Sequence, residues 1–369
     1  MMHHLGFPIE TVLVFAALCI GALLVDMFMH RENKAIPLKS AALWSLFWVA
    51  VSLAFAGFLY VHHGEETATL FLTGYALEKV LSVDNLFVIM AIFSWFSVPD
   101  GMRHRVLYWG IIGAIVFRGI FVTIGTGMLA FGPWVEMLFA AIVIWTAYTM
   151  MTKKEEEEEI EDYSGHPAYR AIKAIMPVWP KLMPNGAFVL TQAEVDEELK
   201  KPENAGVTVG RPQEHEPSKN FIVRALSSVW KAFKALFPLR YATPLLLCLA
   251  VIELSDVMFA FDSVPAVIAV SKEPLIVYSA MMFAILGLRT LYFVLEALKG
   301  YLVHLEKAVI VLLYFIGGKL ALNSSAHIFH HDYEISAMTS LIVVLVVLTL
   351  GIVASLVFPE KEEKEEAAQ

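Results

Sequence analysis

The sequence is poor in cysteine and in charged residues. It has 2 cysteines among 369 residues, Cys19 and Cys248, each inside an apolar run, and 17% of its residues are charged. Two isolated cysteines provide neither a disulfide framework nor a paired metal motif. Soluble globular proteins carry about 25% charged residues. The low value here, together with 58% hydrophobic residues, indicates a polytopic membrane protein.

Several sequence patterns that would point to other functions are also missing. The sequence contains no phosphate-binding glycine loop and no nucleophile motif, so we expect neither an enzyme nor a permanently bound cofactor. The net charge of −9 is concentrated in 155–159, in the loop that follows and in 360–366. These are solvated segments, and nucleic-acid binding has no support. The first apolar run lacks a basic n-region and a small-residue cleavage site, which favours a membrane helix over a signal peptide.

Nine apolar stretches are long enough to cross a bilayer as helices, which takes about 20 residues each. They are 7–29, 40–61, 67–97, 105–129, 133–152, 242–270, 275–297, 303–322 and 335–358. Basic residues occur in the connections after helices 1, 3 and 7, whereas the connections after helices 2, 4 and 8 have none. Basic loops stay in the cytoplasm. We therefore predict an all-α polytopic membrane fold with its N-terminus outside and its C-terminus in the cytoplasm.

The predicted organisation has four parts. Helices 1–5 occupy 1–152, a cytoplasmic loop follows at 153–241, helices 6–9 occupy 242–358, and an acidic tail ends the chain at 359–369. The loop is rich in Pro, Gly and Glu, which predicts partial disorder. Near 220–237 its apolar residues follow helical spacing. This basic amphipathic helix suits the inner membrane surface or, alternatively, the cytoplasmic face of the bundle.

Two of the apolar runs, 74–90 and 251–270, contain an unusual number of polar residues. They are Glu78, Lys79, Asp84, Asn85, Glu253, Asp256, Asp262 and Ser263. Ionisable groups at membrane depth are costly and usually face the bundle interior or an ion path. These two runs are therefore the candidate functional site.

The second half of the chain matches the first in the order of its charges. The matched pairs are Glu78 with Asp256, Asp84 with Asp262, Asn85 with Ser263, Arg118 with Arg289, and Glu136 with Glu306. Helices 3–5 thus correspond to helices 6–8, and because predicted helix 3 runs inward and helix 6 outward, the repeat is inverted. Many secondary transporters have this layout, with an ion site near the midplane. A chance match of charges is the alternative.

The spacing of the acids leaves two arrangements open. On a straight helix Glu78 and Asp84 point well apart, so either they serve different cavities or the helices break; Pro265 favours a break in helix 6. If the acids converge, the carboxylates with Asn85 and Ser263 form an oxygen-rich site. Such ligands suit Mn²⁺, Ca²⁺ or Mg²⁺ better than Zn²⁺ or Cu⁺.

Three basic residues would balance the charge of this site: Lys79, Arg118 and Arg289. The alternative interpretation is structural, with the acids pairing with the two arginines and fixing the packing of the helices.

Three segments resemble the TerC family of integral membrane proteins: LTGYALEKVLSVDNLFV (72–88), YATPLLLCLAVIELSDVMFAFDSVPAVIAV (241–270) and FAILGLRTLYF (283–293). The resemblance covers all nine proposed helices and implies a bacterial inner-membrane protein of the LysE-like transporter superfamily. It also implies manganese export, in which members of the family are implicated. The metal-site residues that it implies are Glu78, Asp84, Glu253, Asp256 and Asp262. The stretch 187–217 looks like an insertion relative to the family.

We therefore expect a transporter that exports divalent metal ions, foremost Mn²⁺, through a carboxylate-lined midplane site with proton coupling. Its partners would be the lipid bilayer and the metal ion. The alternative is a non-transporting membrane scaffold for metal or tellurite stress that recruits cytosolic or membrane proteins through 153–241. An intramembrane aspartyl hydrolase is disfavoured, because the carboxylates and arginines exceed the need for two aspartates.

Overall fold

The computed structural model describes residues 3–4, 7–29, 37–152, 162–204, 206–209, 240–298, 304–329, 333 and 335–357. Twelve helices lie in these residues: α1 Ile9–Met29, α2 Leu38–His63, α3 Glu65–Trp95, α4 Asp100–Met128, α5 Pro133–Thr152, α6 Pro167–Ile175, α7 Gln192–Leu199, α8 Pro244–Ile268, α9 Pro274–Ile285, α10 Leu288–Leu298, α11 Leu305–Phe329 and α12 Ala337–Val357. Four short strands form two antiparallel pairs: β1 His3–His4 with β2 Phe7–Pro8, and β3 Val189–Thr191 with β4 Arg240–Ala242.

All nine predicted membrane segments are helical, with α9 and α10 together forming predicted helix 7. Within the described ranges, five helices are long and apolar enough to cross a membrane, and α9 with α10 makes a sixth that is bent by 52°. The five are Leu38–His63, Asp100–Phe131, Pro133–Thr152, Pro244–Ile268 and Ala337–Val357. The fold is therefore an all-α polytopic membrane architecture, while the count of nine spans stays a prediction.

The predicted helix break at Pro265 is wrong. Helix α8 continues through Pro265 to Ile268. The proline ring removes a single backbone donor close to the helix end, and the Ala269 N–H still donates to the Pro265 carbonyl oxygen at 2.9 Å. Helix α3 also runs without interruption from Glu65 to Trp95. Neither helix unwinds to bring its own carboxylates together.

The break lies instead between α9 and α10. Gly287 has a φ of 79°, a left-handed conformation that glycine adopts without steric cost. A Cβ at Gly287 would lie 2.5 Å from Trp48 Cδ1. Nearby, Ser45 Oγ donates to Thr290 Oγ1 at 3.1 Å. Helix α2 thus packs directly on the break and fixes its geometry.

The chain folds as two units. The first comprises Met1–Val88, Ile111–Glu157 and Asp256–Gln369, and the second Ile89–Gly110 and Glu158–Ser255. The core of the first unit contains Phe55, Phe71 and Phe283, whose rings contact one another. These large apolar side chains are removed from solvent, and they join α2, α3 and α9.

Small residues let helices of the first unit approach closely, as is common within membranes. A Cβ at Gly317 of α11 would lie 2.7 Å from Ile144 Cγ1 of α5. A Cβ at Gly351 of α12 would lie 2.7 Å from the Ala308 side chain of α11. Helix α11 is thereby held tightly between α5 and α12.

Part of the long loop is folded in the second unit. Strand β3 pairs with β4, which places Leu190 opposite Tyr241, and both side chains join an apolar cluster around Trp179. Thr243 Oγ1, just before α8, donates to the Ala187 carbonyl oxygen at 2.7 Å. The amphipathic helix predicted near 220–237 and the tail 359–369 lie outside the described residues.

Candidate cation-binding site

Arg118 of α4 lies between carboxylates of two other helices. One guanidinium nitrogen pairs with Glu78 Oε1 of α3, and the other lies 3.2 Å from Asp256 Oδ1 of α8. Glu78 and Arg118 are both fully buried. A buried charge without a partner is strongly unfavourable, so each of these groups depends on the other. Two consecutive helices, α3 and α4, are joined at this point to α8, which is distant in sequence.

The ion pairs use one oxygen of each carboxylate. The second oxygens, Glu78 Oε2 and Asp256 Oδ2, are buried and have no hydrogen-bond partner within the described part of the chain. The same is true of Asp84 Oδ2 and Ser263 Oγ. Buried polar atoms in proteins are nearly always paired. Four such oxygens in the first unit are therefore available to water or to a cation.

Helices α3 and α8 run antiparallel. A Cβ at Gly74 of α3 would lie 3.3 Å from Val267 Cγ1 of α8, which fixes one level where the helices meet. Farther from this contact, Glu78 and Asp256 are joined through Arg118. If the two helices were parallel, Glu78 and Asp256 would be about 22 Å apart along the helix axis, which is beyond the reach of one arginine. In an antiparallel pair the axial separation is about 10 Å, which one arginine can bridge.

The antiparallel course sorts the acids into two levels. At 1.5 Å of rise per residue, Glu78 and the backbone position of Asp262 lie about 6–8 Å from the helix contact. Asp84 and Asp256 lie about 15–17 Å from it, so the levels are about 9 Å apart. Each level contains one acid from each helix. Arg118 reaches one acid of the nearer level and one of the farther level.

A single cage of five carboxylates is not observed. The described side chains include no group of three or more His, Cys, Asp or Glu that could hold a metal ion; the Asp262 side chain lies outside this set. The acids stay on separate levels because both helices are continuous. Asn85 is half-buried beside Asp84. Glu253 precedes Asp256 on α8 but belongs to the second unit, and its role as a ligand stays a prediction.

Lys79 binds backbone carbonyls at the helix break. Its Nζ donates to the carbonyl oxygens of Ala284 at 3.1 Å and of Leu286 at 3.4 Å. Carbonyls at a helix end have no partner within the helix, so an ammonium group is well placed there. Arg289 is buried on α10, and its charge-balancing role stays a prediction.

A further buried carboxylate was not predicted to have a partner of its own. Glu136, in the first turn of α5, lies 2.6 Å from Lys272 Nζ in the connection between α8 and α9. Ser324 Oγ of α11 donates to the same carboxylate at 3.0 Å. The sequence indicated Glu136 only as the repeat counterpart of Glu306, and Lys272, the lone basic residue between α8 and α9, is the signal that could have revealed its partner. Glu306, the proposed repeat counterpart of Glu136, is exposed, so the two environments differ.

Comparison with known proteins agrees with this architecture. The sequence model described as "Integral membrane protein TerC family" matches residues 63–363. The tellurium resistance protein TerC of Serratia marcescens is 67% identical over 363 residues, which cover 98% of each chain. That of Alcaligenes sp is 67% identical over 362 residues, again 98% of each chain. An Alx protein of Salmonella typhi, named as a candidate membrane-bound redox modulator, is 33% identical over 365 residues, 96% of each chain.

No solved structure matches the chain. The family match covers most of the sequence, and it includes the helices that carry Glu78, Arg118 and Asp256. The chain therefore belongs to the TerC family of integral membrane proteins.

Proposed function

We propose that the protein is a transporter that exports divalent metal ions, foremost Mn²⁺, along the acids of α3 and α8 in exchange for protons. The observation that carries this proposal is the set of buried carboxylate oxygens on Glu78, Asp84 and Asp256 that have no hydrogen-bond partner in the part of the chain that the structure describes. Carboxylate and hydroxyl oxygens are hard ligands that suit Mn²⁺. The bilayer would be the bacterial inner membrane, with the N-terminus outside.

The charge of the site favours a cation as the transported species. Relatives of this chain are named for tellurium resistance, and tellurium in water forms oxyanions. An oxyanion would be repelled by a passage lined with carboxylates. We therefore propose that resistance in this protein follows from control of metal cations and does not require transport of a tellurium oxyanion.

Metal transport also agrees with the state of the two cysteines. Cys19 and Cys248 are both buried and free. Thiol chemistry needs an accessible thiolate, and thiol or imidazole ligands would suit Zn²⁺ or Cu⁺. The acids of α3 and α8 are consequently the better candidates for the working groups.

The direct test is Mn²⁺ flux into proteoliposomes across an imposed pH gradient. We expect Asp84→Asn and Asp262→Asn each to abolish flux, because each removes an acid from one of the two levels. Asp100→Asn, an exposed acid at the start of α4, is the matched control and should transport normally. Correct insertion is checked by size-exclusion chromatography. Full flux in the double variant Asp84→Asn/Asp262→Asn would remove the proposal.

A membrane scaffold is the second candidate, and the folded part of the long loop favours it. Strands β3 and β4 and the cluster around Trp179 give the second unit a core of its own, which a partner protein could recognise. The test substitutes two exposed acids of α7, Asp196→Lys and Glu197→Lys, which changes the surface of this unit while both strands stay in place. Normal Mn²⁺ flux together with lost metal or tellurite resistance would support the scaffold. If flux and resistance are lost together or retained together, the result would support the transporter.

A further inference from the structure

Arg118 of α4 contacts acids of both levels. Its guanidinium contacts Glu78 of the nearer level and Asp256 of the farther level. A guanidinium is itself a cation, held in place by its own side chain. It therefore marks a position where two carboxylates already bind positive charge.

We propose that Arg118 is a tethered cation that competes with the transported metal ion for Glu78 and Asp256. This inference rests on the proposed transport function. With Arg118 in place, the two carboxylates carry one net negative charge. When the guanidinium leaves, they carry two, which matches a divalent ion. The metal ion displaces Arg118 as it passes between the levels, and Arg118 returns behind it and closes the passage.

The geometry differs from that of a purely structural ion pair. Arginine frequently binds one carboxylate with two parallel hydrogen bonds. Arg118 is instead divided between two acids, and each acid keeps a buried oxygen that has no hydrogen-bond partner among the described residues. A buried ion pair is also weak evidence for stabilisation, because desolvation offsets much of the attraction. The divided contact leaves both carboxylates able to take a second cation.

The displacement requires movement of the side chain and not of helix α4. The next residue, Gly119, packs on Tyr278 of α9, where a Cβ would lie 3.3 Å from Tyr278 Cε2. Seven residues after Arg118, a Cβ at Gly125 would lie 2.8 Å from Ile268 Cδ1 of α8. Both contacts lie on the C-terminal side of Arg118 and hold this part of the α4 backbone, so the guanidinium leaves by rotation about its own bonds.

The test is equilibrium binding of Mn²⁺ to the full-length protein in nanodiscs, followed by the electron paramagnetic resonance of free Mn²⁺. We expect Arg118→Gln to bind one Mn²⁺ per chain about tenfold more tightly than the wild type, because the competing guanidinium is gone from Glu78 and Asp256. The double variant Glu78→Gln/Arg118→Gln should lose this tighter binding. In flux assays, Arg118→Gln should lower both the half-saturating Mn²⁺ concentration and the maximum rate by about tenfold, a change of about 1.4 kcal/mol.

A merely structural role for Arg118 predicts a different result, since lost packing lowers the maximum rate without lowering the half-saturating Mn²⁺ concentration. If Arg118→Gln does not fold, Arg118→Lys replaces it: one ammonium cannot bridge both acids as a guanidinium does, so tighter Mn²⁺ binding than in the wild type is still expected. Wild-type Mn²⁺ affinity in the folded variant would overturn the inference while leaving transport intact. Absence of both binding and flux in the wild type would instead overturn the proposed function.

Discussion

Lys79 Nζ lies 3.1 Å from the carbonyl oxygen of Ala284, so a cation of α3 caps the C-terminal end of the half-helix α9. The partial negative charge at a helix C-terminus favours this position for a cation. The preceding residue, Glu78, pairs with Arg118 on another side of α3. Helix α3 is therefore held on two sides by neighbouring residues. A rotation that separates Glu78 from Arg118 would also pull Lys79 from the break.

Replacing Lys79 with methionine should lower the free energy of unfolding by about 2 kcal/mol, because hydrogen bonds from charged groups contribute about 1.5–3 kcal/mol. The carbonyl oxygens of Ala284 and Leu286 would lose their donor. Lys79→Arg retains a cationic donor and should be destabilised less. Unfolding by sodium dodecyl sulfate in mixed micelles measures the difference. Equal stability of Lys79→Met and the wild type would show that the cap contributes nothing.

Gly287→Ala should be among the most damaging glycine substitutions. A left-handed backbone costs a residue with a Cβ about 1–2 kcal/mol, and the Cβ would overlap Trp48, which adds about 1–3 kcal/mol. Gly57→Ala is the matched control, since no atom of the described residues lies within 4 Å of its Cβ position, and it should be nearly neutral. The same unfolding assay compares them, and equal effects would contradict the packing described for the break.

The ion pair between Glu136 and Lys272 should contribute a coupling energy of about 1 kcal/mol in a double-mutant cycle. The variants are Glu136→Gln, Lys272→Met and their combination. Lys272→Met alone should be the least stable, because it leaves a buried carboxylate with only Ser324 as a donor. The Lys272 side chain is 49% exposed, so the coupling should weaken at high salt.

The control for this cycle is Glu66→Gln, which changes an exposed acid in the first turn of α3 and should leave stability unchanged. A coupling energy near zero at low salt would show that the pair between the α8–α9 connection and α5 does not hold these elements together.

Helix α7 should lose protection against backbone hydrogen exchange at acid pH. The backbone N–H and hydroxyl of Thr191 donate to the Glu194 carboxylate and hold its pKa below the ordinary value of 4.5. A carboxylate with a lowered folded pKa contributes stability that is fully present above the unfolded pKa. That contribution disappears as the pH falls through the folded pKa.

Hydrogen exchange of residues 192–199 in the full-length protein, measured between pH 7 and pH 3, follows this change. Glu194→Gln should exchange faster at pH 7 and depend less on pH. Glu197→Gln, an exposed acid on the same helix, should behave as the wild type. Identical pH profiles for Glu194→Gln and the wild type would count against the capping interaction.

The positions of the membrane helices follow closely from the sequence. Predicted helix 5, 133–152, agrees with α5 at both ends, because Gly132 and Pro133 begin it and a charged run follows it. The break in predicted helix 7 could not be found in the same way. It depends on Gly287 packing against Trp48, which is distant in sequence. Pro265 gave a false indication, since one missing donor near a helix end does not interrupt the helix.

The acids of the site were recognisable because charged residues are rare inside apolar runs. Their arrangement in two levels could not be recognised from the sequence, since the register of α3 on α8 depends on the close approach of Gly74 to Val267. The binding partners of the Lys79 ammonium group could not be predicted either, because carboxylates and free helix carbonyls both attract an ammonium group. The equivalence of the two halves stays a prediction, although the antiparallel course of α3 and α8 is what an inverted repeat requires.

The pairing of β3 with β4 has a practical consequence for imaging this protein. Thr191 and Arg240 lie opposite each other at the end of the ladder, so the chain between them leaves and returns at one place beside α8. Lengthening a closed loop is inexpensive, about 0.6 kcal/mol for each doubling. A rigid marker domain inserted at 210–217 would therefore leave the acids of α3 and α8 undisturbed and would add mass for particle alignment in electron cryomicroscopy.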